Sequence, residues 1–152
     1  MPVTLEEIKA EQAKVAEMIA KFEAQPQPIL RTIPAAQIWL EPGEEYAGVI
    51  IGKDGAPSHH LILLPGDQDD ITWNDATKWA AEIGGELPSR REQALLYANL
   101  KEQFEGTWYW SGEQHASLSA FAWSQPFDVG TQYCTSKNDE LRARAVCRLE
   151  IQ

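Results

Sequence analysis

Reactive side chains are few in this sequence, and their spacing decides what chemistry they could support. There are two cysteines, Cys134 and Cys147, and three histidines among 152 residues. A thiol becomes a nucleophile when a base or positive charge lowers its pKa, and neither cysteine has a histidine near it in sequence. No Gly-x-Ser-x-Gly elbow is present. His59 and His60 are adjacent in an apolar run, so as strand neighbours they point to opposite faces and cannot share a metal. His115 has only Glu113 for company. The segment "GDQDD" (66–70) offers Asp67, Asp69 and Asp70 as hard oxygen ligands, but it lacks the glycine and closing glutamate of an EF-hand loop. It reads as an acidic surface turn. Gly84-Gly85 follows a helical pattern instead of preceding one, so it cradles no phosphate. The expectation is no catalytic residue, no metal and no cofactor.

Composition narrows the partners. Thirteen basic against 23 acidic residues leave a net charge of −10, a poor match for nucleic acid. An apolar fraction of 43% and six tryptophans exclude a disordered chain. No apolar run approaches the roughly 20 residues that span a bilayer. The start, "MPVTLEEIKAEQ", lacks a basic, then apolar leader. The expectations are therefore no signal peptide and no membrane insertion. The two thiols are either free or, if brought together, bridged.

The elements that must position any site follow from periodicity. Residues 4–24 carry the strongest helix signal, with Thr4 and Glu7 forming a capping box. Leu5, Ile8, Gln12, Val15, Ile19 and Phe22 recur at alternating steps of three and four, a seam that either packs on its own domain or joins copies of the chain as a dimer or trimer. "QPQP" stops the helix and opens a linker at 25–32. Residues 33–66 read as strands around a turn at Asp54-Gly55. Two helices follow. Thr72 and Asp75 can cap the first, whose stripe is Trp73, Ala76, Ala80 and Ile83. Ser89 and Glu92 box the second, striped by Leu96, Leu100 and Phe104. "TWYWS" (107–111), "AFAW" (120–123) and "RARAVCRLEI" (142–151) read as strands, the last with Ala143, Ala145, Cys147 and Leu149 on one face. Strands and helices that do not alternate give an α+β domain over 33–152 behind an N-terminal helix.

Segment 117–138 mixes Phe121, Phe127 and Tyr133 with hydroxyl and amide side chains. That palette suits adaptable recognition, and a loop of that length inside a domain is usually functional or disordered.

Four blocks in order carry a resemblance: "ITWNDATKWAAEIGGELPSRREQALLYANL", "WYWSGEQ", "AFAWSQPFDVGTQ" and "LRARAVCRL". Over residues 70–149 the chain resembles a domain widespread in phage and prophage proteins. That family has a C-type-lectin-like fold and is related to formylglycine-generating enzymes and to the variable proteins of diversity-generating retroelements. The resemblance implies a non-enzymatic receptor-recognition protein, diversified by a retroelement, with short antiparallel sheets, two helices and a long C-terminal loop region. Its ligand-binding surface would comprise Ser117, Ser119, Phe121, Ser124, Asp128, Thr131, Tyr133, Thr135, Ser136 and Asn138. Trp110, Trp123, Arg142, Arg144 and Val146 would form the frame. The implied ligand is a bacterial surface protein or glycan, and the implied setting is a virion tail or fibre, or the bacterial cytoplasm. Two other functions stay open: an oxidase like the formylglycine-generating enzymes, and a phage assembly or intracellular interaction protein.

The chain departs from the family at Gly112, where serine is usual, and at Cys147, where arginine is usual. C-type lectins often tie a loop to the last strand, which would pair Cys134 with Cys147. "WND" (73–75) and "QPFD" (125–128) are similar to calcium-lectin motifs, but the first opens a helix and Phe127 interrupts the second.

Overall fold

The computed structural model describes residues 2–28, 30 and 35–152, and the chain divides into two units, 1–37 and 38–152. The first contains α1, Leu5–Ala24. Its capping box forms as the sequence requires: the Thr4 hydroxyl accepts from the Glu7 N–H at 3.2 Å, and the Glu7 carboxylate accepts from the Thr4 N–H at 2.8 Å. Gln25 is already extended. Of the expected linker, Ile29, Arg31 and Thr32 lie outside the described residues.

The second unit runs β1 (Glu45–Ile50), β2 (His59–Leu63), β3 (Gln68–Ile71), α2 (Trp73–Glu82), α3 (Arg90–Leu100), a 3-10 turn (Lys101–Gln103), β4 (Trp108–Gln114), β5 (Phe121–Pro126), β6 (Tyr133–Ser136), β7 (Leu141–Ala143) and β8 (Val146–Glu150). The architecture is mixed α+β with two small sheets, ordered β1-β2-β8 and β3-β7-β4-β5-β6. All pairings are antiparallel except a single parallel step between β4 and β7. Asp54 and Gly55, at φ of 54° and 84°, make the left-handed tip between β1 and β2. α2 ends in a Schellman motif, with Gly85 N–H on Ala80 O and Gly84 N–H on Ala81 O. Gly84 supplies the required positive φ of 86°.

The core explains why β4 reads as unbroken aromatic sequence. Tyr109 faces a cluster with Leu96 and Leu100 of α3, Leu61 and Leu63 of β2, and Phe127. Its neighbour Trp110 faces the opposite cluster, with Ala76 and Ala80 of α2, Ala122 and Ala143. A strand covered on both faces cannot alternate apolar with polar residues.

Three expectations are corrected. "RARAVCRLEI" is not one strand: β7 belongs to one sheet and β8 to the other, and the chain crosses between them at Arg144-Ala145. The Arg144 guanidinium turns inward there to donate to the carbonyls of Gln103 and Leu64. Ile83 is 40% exposed and so leaves the stripe of α2. "GDQDD" is not a free acidic turn, because Gln68–Ile71 form the edge strand β3. Asp67 accepts from the Tyr109 hydroxyl at 2.6 Å and from Arg142 Nε at 3.0 Å, while Asp69 pairs with Arg142 at 3.3 Å.

Burial, then the bond to Asp67, pushes the Tyr109 phenol up to about 12 from an ordinary value of 10.0. A raised folded-state value favours the protonated form, so the phenol's stabilisation is complete below pH 10 and is lost as pH climbs toward 12. Two units correspond to roughly 2–3 kcal/mol. Tyr109→Phe is therefore expected to cost about 1–3 kcal/mol at neutral pH. The gap between wild type and variant in urea unfolding should close between pH 10 and 12. A gap that is constant or widens over that range would refute the assignment.

Candidate functional site

The groups that hold the late strands in place are buried and polar. Glu92, in the first turn of α3, is 1% exposed. Its carboxylate accepts from Ser89 N–H at 2.8 Å, from Arg148 Nε and Nη2 at 2.7 Å each, and faces His59 Nε2 at 2.7 Å. One side chain thus caps α3 and ties it to β2 and β8. His60, on the other face of β2, meets the Tyr46 hydroxyl at 2.8 Å. The two histidines point apart, as strand geometry demands.

A chain of amides then links α3 to the segment before β6. Gln125 Nε2 donates to Gln93 O at 3.1 Å. Gln132 Nε2 donates to Gln125 Oε1 at 3.0 Å and to Arg90 O at 2.6 Å, and Arg90 Nε returns a bond to Gln132 Oε1 at 3.0 Å. Arg90 lies over the Trp123 ring at 3.6 Å, an attraction of roughly 1 kcal/mol or more for a partly desolvated pair. His115 stacks on the same indole at 5.5 Å and accepts from the N–H groups of Ser117 and Leu118 at 3.1 Å each. Both connections flanking β5 are therefore pinned. The sequence showed Trp123 as frame but did not mark Gln93, Gln125 or Gln132. Their only trace was amides in otherwise apolar or aromatic segments, a pattern that surface residues share.

The presumed long loop carries two strands, β5 and β6. Within 117–138, β5 and β6 pair in the register Phe121↔Ser136, Ala122↔Thr135, Trp123↔Cys134 and Ser124↔Tyr133. Residues directly opposite share a face, so this register divides the candidates. Ser124, Tyr133 and Thr135 lie on the face of Trp108 and Trp110, since Trp110 pairs with Ser124. Phe121 and Ser136 lie on the other face, with Trp123 and Cys134. Ser117 and Ser119 are exposed in the β4–β5 connection, Asp128 and Thr131 are exposed between β5 and β6, and Asn138 is exposed in the turn after β6. Ser124 is buried at 0% exposure, and its hydroxyl is engaged with Thr135 Oγ1 at 2.7 Å. It belongs to the frame and not to the contact surface. Phe127, at 1% exposure, is stacked on Phe104 with centroids 3.8 Å apart and is also core.

Sequence reasoning missed Trp108. It is 37% exposed and packs against Tyr133, 46% exposed, with ring centroids 5.0 Å apart and planes inclined at 54°. Trp108 opens β4 on the same face as Trp110, so nothing in "TWYWS" distinguishes the partly exposed indole from the buried one.

Two concave regions of the second unit share Ser89 and Glu113 in their walls. A groove of about 420 Å³ is lined by Trp73, Thr77, Leu87, Glu113 and Arg148, among others. Its charges already have partners: Glu113 accepts from Arg90 N–H at 2.6 Å, and Arg148 holds Glu86 and Glu92. A shallower one, lined by Arg90, Arg91 and Gln132, has Arg90 committed to Trp123. Among the described residues no group of three acidic, histidine or cysteine side chains could hold a metal, and no helix is long and apolar enough to cross a membrane. Cys134 and Cys147 are both free, on strands of different sheets. Burial, with Glu44 adding to it, pushes the Cys147 thiol up and so disfavours the thiolate. At Gly112, a Cβ would stand 2.9 Å from Leu87 O, so any side chain there would require the backbone to shift. No family model and no curated protein matches the chain.

Proposed function

We propose that the protein is a non-enzymatic ligand-binding protein of phage or prophage origin, built on a C-type-lectin-like domain that presents a recognition surface from its late strands. Two features support the fold reading: the first and last strands of the domain share the β1-β2-β8 sheet, and both domain helices precede a second sheet formed mainly from residues after 107. The observation that carries the functional reading is the exposed Trp108–Tyr133 pair on a braced backbone. Paired aromatics supply large contact area with little conformational entropy to lose. Thr131, Thr135 and Asn138 add hydroxyl and amide groups near them in sequence, and the ligand class is a bacterial surface protein or glycan.

A retroelement would diversify such a surface without touching its supports. Sequencing the gene in sibling isolates should show substitutions concentrated at exposed positions such as Asp128, Thr131, Tyr133 and Asn138. Glu92, Gln125, Trp110 and Arg144 should stay constant. Changes spread evenly along the chain would count against diversification.

A further inference from the structure

We propose that α1 joins three copies of this chain as a parallel, in-register helical bundle, a claim that stands apart from what the folded domain binds. The seam residues Leu5, Ile8, Gln12, Val15, Ile19 and Phe22 form one stripe on a helix of 20 residues. Its apolar members are all exposed, from Ile8 at 47% to Leu5 at 65%. Most helical stability in proteins comes from packing an amphipathic face, so the stripe calls for a cover.

The charge pattern fits further copies of the same helix. Lys14 pairs with Glu11 at 3.1 Å and Lys21 with Glu17 at 3.3 Å along the helix itself. Glu6, Glu7, Lys14, Glu17 and Lys21 all fall at heptad positions away from the stripe. At the flanks, parallel copies would set Glu11 beside Ala16 and Met18 beside Glu23, so no like charges meet.

Direction and number follow from the layers. In an antiparallel pair centred on the helix, Gln12 would face Val15 and its amide would be buried without a partner, which costs free energy. In a parallel bundle the Gln12 amides of all copies meet in one layer, where each can donate to the next and fix the register. β-Branched Ile8 and Val15 occupy the seam positions where two-stranded parallel coils prefer leucine, and Leu5 followed by Ile8 favours more than two strands. Three helices enclose a core narrow enough for the small Val15 layer to close without a void, which a wider four-stranded core would leave.

The test is sedimentation equilibrium on the full chain. At about 100 μM the expected mass is three chains, falling toward one on dilution, because assembly follows mass action. Each chain is 17.0 kDa. Ile8→Lys with Ile19→Lys should give one chain at the same concentration, with thermal unfolding of the domain unchanged. In a Cys134→Ser background, Gln12→Cys should cross-link rapidly between copies under mild oxidation, as only parallel register allows. A wild-type mass of one or two chains, or failure of Gln12→Cys to cross-link in the assembled state, would overturn the proposal.

Discussion

Glu92→Ala is expected to destabilise the domain by about 3 kcal/mol, the low end of the range for breaking a buried ion pair. The carboxylate is almost fully removed from solvent, and all its bonds are to protein groups: the Ser89 N–H, two nitrogens of Arg148, and His59. Truncation takes the buried carboxylate from Arg148, leaving it Glu86 and the Leu87 carbonyl, and removes the returning half of the α3 capping box, while the Ser89 hydroxyl keeps its bond to the residue-92 N–H. The low end applies because Arg148 keeps 30% of its side chain exposed and can recover some hydration. Glu92→Met combined with Arg148→Met should be milder than Glu92→Ala, since apolar replacement of the whole pair leaves no stranded charge. Urea unfolding followed by tryptophan fluorescence measures both. A loss under about 1 kcal/mol for Glu92→Ala would show that the network holds nothing together.

Truncating both Trp108 and Tyr133 to alanine is expected to weaken ligand binding by roughly 100-fold or more, because anchoring aromatics are typically worth about 2 kcal/mol or more each. The two rings touch, so their effects need not add. Stability should fall as well, by about 1–3 kcal/mol, because each ring is more than half buried, but the domain should remain folded. Neither ring is in the core, and the backbone beneath is held by Ser124–Thr135, by the Gln93–Gln125–Gln132 amide chain and by Arg90 on Trp123. Binding can thus be lost at this surface from a domain that is still folded.

Local signals were legible in the sequence where a single segment determines the outcome. The capping boxes at Thr4 and Ser89 and the Asp54-Gly55 tip depend on residues no more than three apart, and all form as read. Elements set by distant partners were hidden. β3 looked like acidic turn because its stabilising partners, Tyr109 and Arg142, lie far along the chain. The break inside "RARAVCRLEI" depends on Arg144 reaching Gln103 and Leu64, contacts that alternation cannot encode. The same limit applied to the site. Residues 117–138 were identifiable as unusual, but the burial of Ser124 and the packing of Tyr133 on Trp108 depend on neighbouring strands that no single segment encodes.

On the proposed function, the exposed Trp108–Tyr133 pair binds a component of the bacterial surface. The most direct measurement is saturable binding of the labelled full chain to a panel of intact bacteria, with wild type beside the Trp108→Ala/Tyr133→Ala variant. Wild type should bind at least one strain, and the variant should lose roughly 100-fold in affinity while still unfolding cooperatively well above the assay temperature. Equal binding by the two proteins, or no binding by wild type to any strain, would contradict it.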